Sequence, residues 1–248
     1  MNERTLGRLD VFPNADELAV ALADLFVNES ETAQTERGSF YVALAGGTTP
    51  SAAYQLLGSE AYEDRVSWDD VYIYFGDERC VRPEDPLSNY RTACDTLLSH
   101  VPIPLGNIHR MKGEIDPAEA AVEYAKLLRD DLGEYLAFDL LMLGLGKDGH
   151  TASLFPGTDP LTDDEHLVRA TYSKETQTNR LTITPKIINS ARAVVIATEG
   201  PEKAFALGTA REGAYDPTAC PAQIVNPASG NLLWLVDELA AGMLKKKS

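Results

Sequence analysis

Residues 138–156 read FDLLMLGLGKDGHTASLFP. The run Phe138–Leu143 is short and nearly all apolar, which is typical of a strand buried on both faces of a parallel sheet. Glycines and a Lys-Asp-Gly-His sequence follow it directly. In open α/β sheets, ligands bind beyond the carboxyl ends of the strands. The stretch therefore predicts an α/β protein with functional residues just after Leu143.

The rest of the chain repeats this alternation of apolar strands and helices. Asn14, with Glu17 three residues later, predicts a capping box at a helix start. Asp116-Pro117 predicts another helix, which ends at Gly133. The alternation predicts a mostly parallel sheet covered on both faces, and without repeats or a linker we expect residues 1–248 to form one domain. Further strands are expected at Leu9–Phe12, Phe40–Ala45, Val71–Phe75, Ile108–Met111, Leu181–Thr184 and Val194–Thr198.

The composition excludes several classes of protein. Acidic residues outnumber basic ones by 38 to 22, a formal charge of −16, which repels nucleic acid and anionic membranes. No apolar run is long enough to span a bilayer, and the first residues lack the apolar core of a signal peptide. The three cysteines, Cys80, Cys94 and Cys220, are widely spaced, so we expect free thiols in a reducing, cytoplasmic compartment. An anionic ligand would need basic residues placed locally in its pocket.

The first functional junction follows the strand that ends at Ala45. Gly46 and Gly47 let the backbone approach a ligand closely, and Thr48 adds a hydroxyl donor. We expect Thr49 to cap the next helix, with Pro50 as its first residue. Such a helix start favours phosphate, although an ordinary strand-to-helix turn fits equally well. No Gly-Lys-Ser or Gly-Lys-Thr follows, which excludes a nucleoside-triphosphate P-loop.

The second junction places three charged residues directly after a buried strand. Asp77 and Arg79 are nearest the strand end and are expected to face a polar cleft, because buried charge without a partner is costly. Glu78 fits a structural ion pair as well as a functional role. Ser88 is expected to cap a short helix whose first turn contains Arg91, for which a structural role is also reasonable.

The third junction, after Leu143, satisfies the glycine spacing of a dinucleotide-binding motif. Pro156 follows too soon for the long crossover helix that such a site requires, so we reject that interpretation. What remains is an imidazole, His150, two residues from a carboxylate, Asp148, that could fix its tautomer. This pair is a candidate general base. A metal site is disfavoured because no HExxH motif or Cys/His cluster supplies further ligands.

The fourth junction follows Thr198. With Gly200 as the cap and Pro201 as the first residue, Lys203 is third in its helix, where the helix dipole disfavours a cation. A bound anion would explain the lysine better than helix stability does. Arg180, just before an expected strand, is a second candidate cation, although a surface arginine would look the same.

These segments together resemble the 6-phosphogluconolactonase family. The matching stretches cover most of the chain from Phe40 onward and are GGTTP (46–50), GDER (76–79), SNYR (88–91), GLGKDGHTASLFP (144–156), RLTITP (180–185), GPEK (200–203) and the segment 221–237. The wider superfamily includes glucosamine-6-phosphate deaminases, which share the Asp-Gly-His block but typically carry a glutamate five residues after the histidine. Here that residue is Phe155, which favours a lactonase over a deaminase.

The resemblance implies a three-layer α/β fold around a mostly parallel, Rossmann-like sheet, of the sugar-phosphate isomerase/deaminase type. It implies hydrolysis of 6-phospho-D-glucono-1,5-lactone in the oxidative pentose phosphate pathway, without metal or cofactor, by a cytoplasmic monomer or weak homodimer. The phosphate would be held by Gly46, Gly47, Thr48, Arg180 and Lys203. His150 would act as the base, with Asp77, Arg79 and Asp148 around the lactone. A deaminase or isomerase of aminosugar phosphates and a non-catalytic sugar-phosphate sensor remain alternatives.

Overall fold

The computed structural model describes residues 6–245, and its centre is a six-stranded parallel sheet. The strands that form it are β1 (Arg8–Phe12), β2 (Phe40–Leu44), β3 (Val71–Phe75), β5 (Leu140–Gly144), β8 (Ala193–Thr198) and β9 (Leu232–Asp237). Their order is β1-β9-β8-β5-β2-β3, and every neighbouring pair is parallel. All six carboxyl ends therefore lie along one edge.

Helices cover both faces of this sheet. They are α1 (Ala15–Arg37), α2 (Thr48–Leu57), α3 (Asn89–Ala93), α4 (Pro117–Leu132), α5 (Pro185–Ser190) and α6 (Ala204–Glu212). Short 3-10 helices lie at Trp68–Asp70, Leu105–Asn107, Gly133–Tyr135, Asp159–Thr162, Pro201–Lys203, Pro221–Ile224 and Ala240–Met243, and Cys94–Leu98 forms a π-helical turn. Within residues 6–245, no helix is both long and apolar enough to cross a membrane.

Alternate residues of each central strand enter two separate cores. Leu141 and Leu143 pack beneath α4 and α6, whereas Leu140 and Met142 pack beneath α1 and α2. This alternation explains why β5 is apolar throughout, since both of its faces are covered. The predicted three-layer α/β fold with a mostly parallel sheet is confirmed.

The helix signals in the sequence were largely correct. The Asn14 side chain accepts from the Glu17 backbone N–H at the start of α1, and Asp116 and Gly133 bound α4 as expected. The predicted start of α2 was wrong, because Thr49 does not cap this helix. Gly47 does, at φ +107°, and no side chain caps that end. The positive φ of Gly47 turns the chain two residues earlier than the proline signal indicated.

A second, three-stranded antiparallel sheet was not predicted. It consists of β4 (Asp77–Arg79), β6 (Val168–Ser173) and β7 (Thr178–Ile183), in the order β4-β7-β6. The strand expected at Ile108–Met111 does not form. Ile108 makes a single bridge to Ile73, after which Met111 enters the core instead of continuing along the sheet edge. The C-terminal strand β9 was also missed.

Candidate active site

The carboxyl ends of β2, β3, β5 and β8 open into one cavity of about 360 Å³, a size suited to a small-molecule ligand. Most of the predicted site residues line it: Gly46, Gly47, Thr48, Asp77, Arg79, His150, Arg180 and Lys203. Asp148 is not part of the wall but contacts His150. The four junctions that were singled out in the sequence therefore meet at one place.

His150 is held in position from several sides. Its Nδ1 lies 2.5 Å from Asp148 Oδ1, and the same carboxylate oxygen accepts from the His150 backbone N–H at 3.1 Å. The Phe155 ring lies 4.9 Å from the imidazole, centroid to centroid. A Cβ on Gly146 would lie 2.0 Å from His150 Nδ1, so only glycine leaves room for the ring there. The imidazole therefore has one well-defined position.

The carboxylate of Asp148 is suited to orienting the imidazole. Burial raises the pKa of Asp148, but the hydrogen bond and charge attraction of His150 outweigh burial and lower this pKa overall. When His150 is neutral, an Nδ1–H that donates to the Asp148 carboxylate leaves Nε2 as the unprotonated ring nitrogen. The sequence left open whether Asp77 or Asp148 contacts the base; the residue in contact is Asp148.

The backbone around His150 is tightly constrained. Gly146 N–H donates to the His150 carbonyl at 2.8 Å, and Gly149 has a φ of +83°. A Cβ on Gly149 would lie 2.7 Å from Cys220 Sγ. Ala152 adopts a φ of +47°, a left-handed conformation that is strained for a residue with a side chain. Strain of this kind persists where the surrounding structure enforces it, often in active sites.

This loop does not bind a dinucleotide in the usual manner. No α-helix begins directly after Gly149; the next helical element is the 3-10 helix Asp159–Thr162. The glycine-spaced motif therefore lacks the crossover helix whose N-terminus would hold a pyrophosphate.

The glycine turn before α2 forms another part of the cavity wall. The N-terminus of α2 has no side-chain cap, and Thr48 Oγ1 lies 3.4 Å from Glu199 Oε1. Uncapped N–H groups at a helix start attract anions. A Cβ on Gly46 would lie 2.0 Å from Asn89 Oδ1, so the turn packs directly against that amide.

Arginines from two strands face the same cavity. Arg79 on β4 and Arg180 on β7 are direct cross-strand partners, an arrangement of like charges that an anion would stabilise. Arg180 donates to the hydroxyls of Thr178 and Thr176 at 3.0 and 2.9 Å. Burial lowers the pKa of Arg180, and the charge of Arg79 lowers it further. In the described part of the chain, Arg79 Nε is buried without a hydrogen-bond partner.

Lys203 also lines the cavity and contacts the loop that carries His150. It is the third residue of the 3-10 helix Pro201–Lys203, as predicted, and its Nζ donates to the Leu145 carbonyl at 2.8 Å. Burial lowers the pKa of Lys203, which is the expected cost of removing a cation from water.

Glu78 and Arg91 have structural roles. Arg91 pairs at 3.3 Å with Asp95, in the π-helical turn that follows α3. Glu78 is 2% exposed, and its burial raises its pKa while hydrogen bonds oppose the rise. The donors to its carboxylate are the backbone N–H groups of Arg79, Asn89 and Tyr90 and the Ser88 hydroxyl. Glu78 therefore fixes the start of α3.

Comparison with known proteins places the chain in a family. A model of the family described as glucosamine-6-phosphate isomerases/6-phosphogluconolactonase matches residues 13–234, which include every predicted site residue. The chain belongs to this family. Within it, the 6-phosphogluconolactonase of Synechocystis sp. is 40% identical over 215 residues, covering 85% of this chain and 87% of that protein. The 6-phosphogluconolactonase of Nostoc sp. is 34% identical over 241 residues, covering 95% and 98%.

A solved structure from the family agrees with the fold described above. The 6-phosphogluconolactonase from Trypanosoma brucei superposes with a TM-score of 0.85 at 28% identity, covering 96% of this chain and 99% of that one. The agreement extends over nearly the whole chain, so the fold resemblance suggested by the sequence is confirmed.

Several cavity residues of this family member were missed in the sequence. Asn89 and Ser153 line the cavity and contact Asp77, and Glu175, Glu199 and Glu202 supply acidic groups. Asn89 and Ser153 belong to the quoted motifs, so their positions beside Ser88 and His150 were a usable signal. No comparable sequence signal identified the three glutamates as cavity residues. Among residues 6–245, no group of three or more His, Cys, Asp or Glu side chains is placed to hold a metal ion.

Proposed function

We propose that this protein hydrolyses 6-phospho-D-glucono-1,5-lactone to 6-phosphogluconate, the second step of the oxidative pentose phosphate pathway, with His150 as the general base. The observation that carries the proposal is His150, held by Asp148, which lines the same cavity as an uncapped helix start and the half-buried Lys203. A base and cationic groups in one cavity suit a substrate that has both a reactive carbonyl and a phosphate.

The chemistry needs little from the protein because a lactone is an activated ester. His150 removes a proton from a water molecule as the water oxygen attacks C1, and negative charge develops on the carbonyl oxygen. Arg79, whose Nε is buried without a partner among the described residues, would stabilise that charge. The bond between C1 and the ring oxygen then breaks, and His150 returns the proton to the departing ring oxygen. The new carboxylic acid releases one proton to solvent.

The phosphate would bind where the glycine turn before α2 lines the cavity. The backbone of Gly46 and Gly47 and the start of α2 at Thr48 present N–H donors, and Arg180 and Lys203 add positive charge. These local cations offset the repulsion that a chain of net charge −16 exerts on a phosphorylated ligand.

We also infer that the protein acts in the cytoplasm, as a monomer or weak homodimer that forms one domain over residues 1–248. The widely spaced cysteines and the acidic composition support a cytoplasmic setting. Elution in gel filtration over a range of protein concentrations tests the assembly state, and a stable larger assembly would contradict it.

The decisive experiment is proton release when fresh 6-phosphogluconolactone is added, measured against spontaneous hydrolysis. We expect a rate well above the blank and no ammonia from glucosamine 6-phosphate. Ammonia release would favour the deaminase alternative. Tight phosphosugar binding without turnover of either compound would favour a sensor.

A further inference from the structure

Asp77 sits in a hydrogen-bonded setting that none of the proposed catalytic steps uses. It lines the cavity yet is 9% exposed. Ser153 Oγ donates to its Oδ2 at 2.6 Å, and Asn89 Nδ2 donates to its Oδ1 at 3.2 Å and to its carbonyl oxygen at 2.9 Å. Each carboxylate oxygen thus has one protein donor.

The residues that make these contacts are themselves firmly placed. Ser153 is 1% exposed and Asn89 is 4% exposed. The Ser153 backbone N–H donates to Thr182 Oγ1 at 3.2 Å, and Thr182 is the cross-strand partner of Asp77. Ala152, at φ +47°, makes the turn that precedes Ser153. A strained residue before a buried hydroxyl indicates that the direction of this hydroxyl matters.

The remaining hydrogen-bonding capacity of Asp77 points to a ligand. An ionised carboxylate has about four acceptor positions, and the two protein donors leave the others for groups in the cavity. The His150 ring is contacted by Asp148, so Asp77 is not required to orient the base. The donors that a sugar lactone brings to such an acceptor are its hydroxyl groups.

Asn89 also connects Asp77 to the glycine turn. Its amide contacts Asp77 on one side and lies against Gly46, in the turn proposed to hold the phosphate, on the other. Ser153 lies three residues after His150 on the same loop. Asp77 is therefore held at a fixed offset from both the phosphate turn and the base.

We propose that Ser153 and Asn89 are positioning residues that hold Asp77 as the acceptor for the ring hydroxyl beside the lactone carbonyl, which makes Asp77 a determinant of specificity for hydroxylated lactones. The proposal rests on the proposed function and deepens it. It predicts that the Ser153 hydroxyl acts only through Asp77.

A double-mutant cycle tests this dependence. Ser153→Ala should lower kcat/KM for 6-phosphogluconolactone by about 10- to 100-fold, the range expected for a hydrogen bond to a charged group. In an Asp77→Asn background the same change should have about a twofold effect or less. Ser30→Ala is the matched control, because Ser30 is 1% exposed and its Oγ has no partner among the described residues; it should leave kcat/KM unchanged.

Substrate selectivity supplies the readout that a merely structural role would not change. The wild type should prefer 6-phosphogluconolactone to its 2-deoxy counterpart, and Ser153→Ala should lose most of that preference. If Ser153→Ala does not fold, the same double-mutant cycle is measured with Asn89→Ala in its place, and its result decides. Additive effects with Asp77→Asn, or equal losses for the two lactones, would overturn the proposal.

Ligand binding separates this inference from the proposed function. Calorimetric titration with 6-phosphogluconate needs no turnover, and its C2 hydroxyl is present. Ser153→Ala should weaken this binding about tenfold and Ser30→Ala should not. A wild type that binds but does not hydrolyse would refute the lactonase assignment alone, whereas unchanged binding in Ser153→Ala would refute the positioning role.

Discussion

Gly146 offers a way to displace His150 without changing a charge or removing the imidazole. A Cβ at this position would lie 2.0 Å from His150 Nδ1 and 2.2 Å from Cε1. The backbone of Gly146 is not among those with positive φ, so an alanine is acceptable to the main chain. The three heavy atoms nearest to this Cβ all belong to the His150 ring, so Gly146→Ala acts first on the imidazole.

The size of the effect follows from the displacement. Ordinary van der Waals contact begins near 3.4 Å, so the ring must move by about 1.4 Å, which breaks its 2.5 Å contact with Asp148. Misplacing a catalytic group by about 1 Å can cost 10²-fold in rate. We expect kcat to fall at least about 10²-fold, equivalent to about 2.7 kcal/mol of activation free energy, with a stability loss of about 1–3 kcal/mol from overpacking.

The assay is proton release from fresh 6-phosphogluconolactone at saturating substrate, corrected for the spontaneous reaction. Gly106→Ala is the matched control, because a Cβ there meets nothing within 4 Å and Gly106 is outside the cavity. Circular dichroism and thermal melting confirm folding. A folded Gly146→Ala variant with kcat within twofold of the wild type would show that the His150 ring is not needed where the structure places it.

Three further predictions concern other parts of the site. Asp148→Asn can present an amide N–H to the ring and favour the wrong tautomer, so kcat should fall by about 10²-fold; an unchanged kcat contradicts the orienting role. Lys203→Ala should raise KM for the phosphorylated lactone about 10- to 100-fold and leave KM for unphosphorylated gluconolactone unchanged. Burial lowers the pKa of Lys203, so its charge should be lost at a lower pH than that of an ordinary lysine. The affinity for 6-phosphogluconate should decline over the same pH range, and Lys203→Arg should abolish that decline. Gly149 has a φ of +83°, and an added Cβ would lie 2.7 Å from Cys220 Sγ. Gly149→Ala should therefore lower Tm, by about 2–4 °C for each kcal/mol of unfolding free energy lost. An unchanged Tm would show that the loop relaxes freely.

Local signals in the sequence predicted much of the fold. Val71–Phe75 was expected as a strand and β3 has those bounds, because a run of buried apolar residues is recognisable without knowing its partners. Asp116 and Gly133 bound α4 because capping depends on neighbouring residues only. The four junctions converge because parallel strands share one carboxyl edge.

The features that the sequence did not reveal depend on distant partners. The strand β4 consists of Asp77, Glu78 and Arg79, which look like a charged loop until β7 pairs with them. The contact of Ser153 with Asp77 joins residues 76 positions apart. Nothing local to either residue indicates this pairing, so the second sheet and the Asp77 network could not be predicted from periodicity.

General-base catalysis is tested most directly by removing the imidazole of His150. Proton release from 6-phosphogluconolactone should be measured for the wild type and for His150→Ala at saturating substrate, with the uncatalysed rate subtracted. We predict that His150→Ala folds, binds 6-phosphogluconate with nearly unchanged affinity, and loses about 10²- to 10⁴-fold in kcat. A folded His150→Ala variant that keeps a near-normal kcat would contradict general-base catalysis at this position.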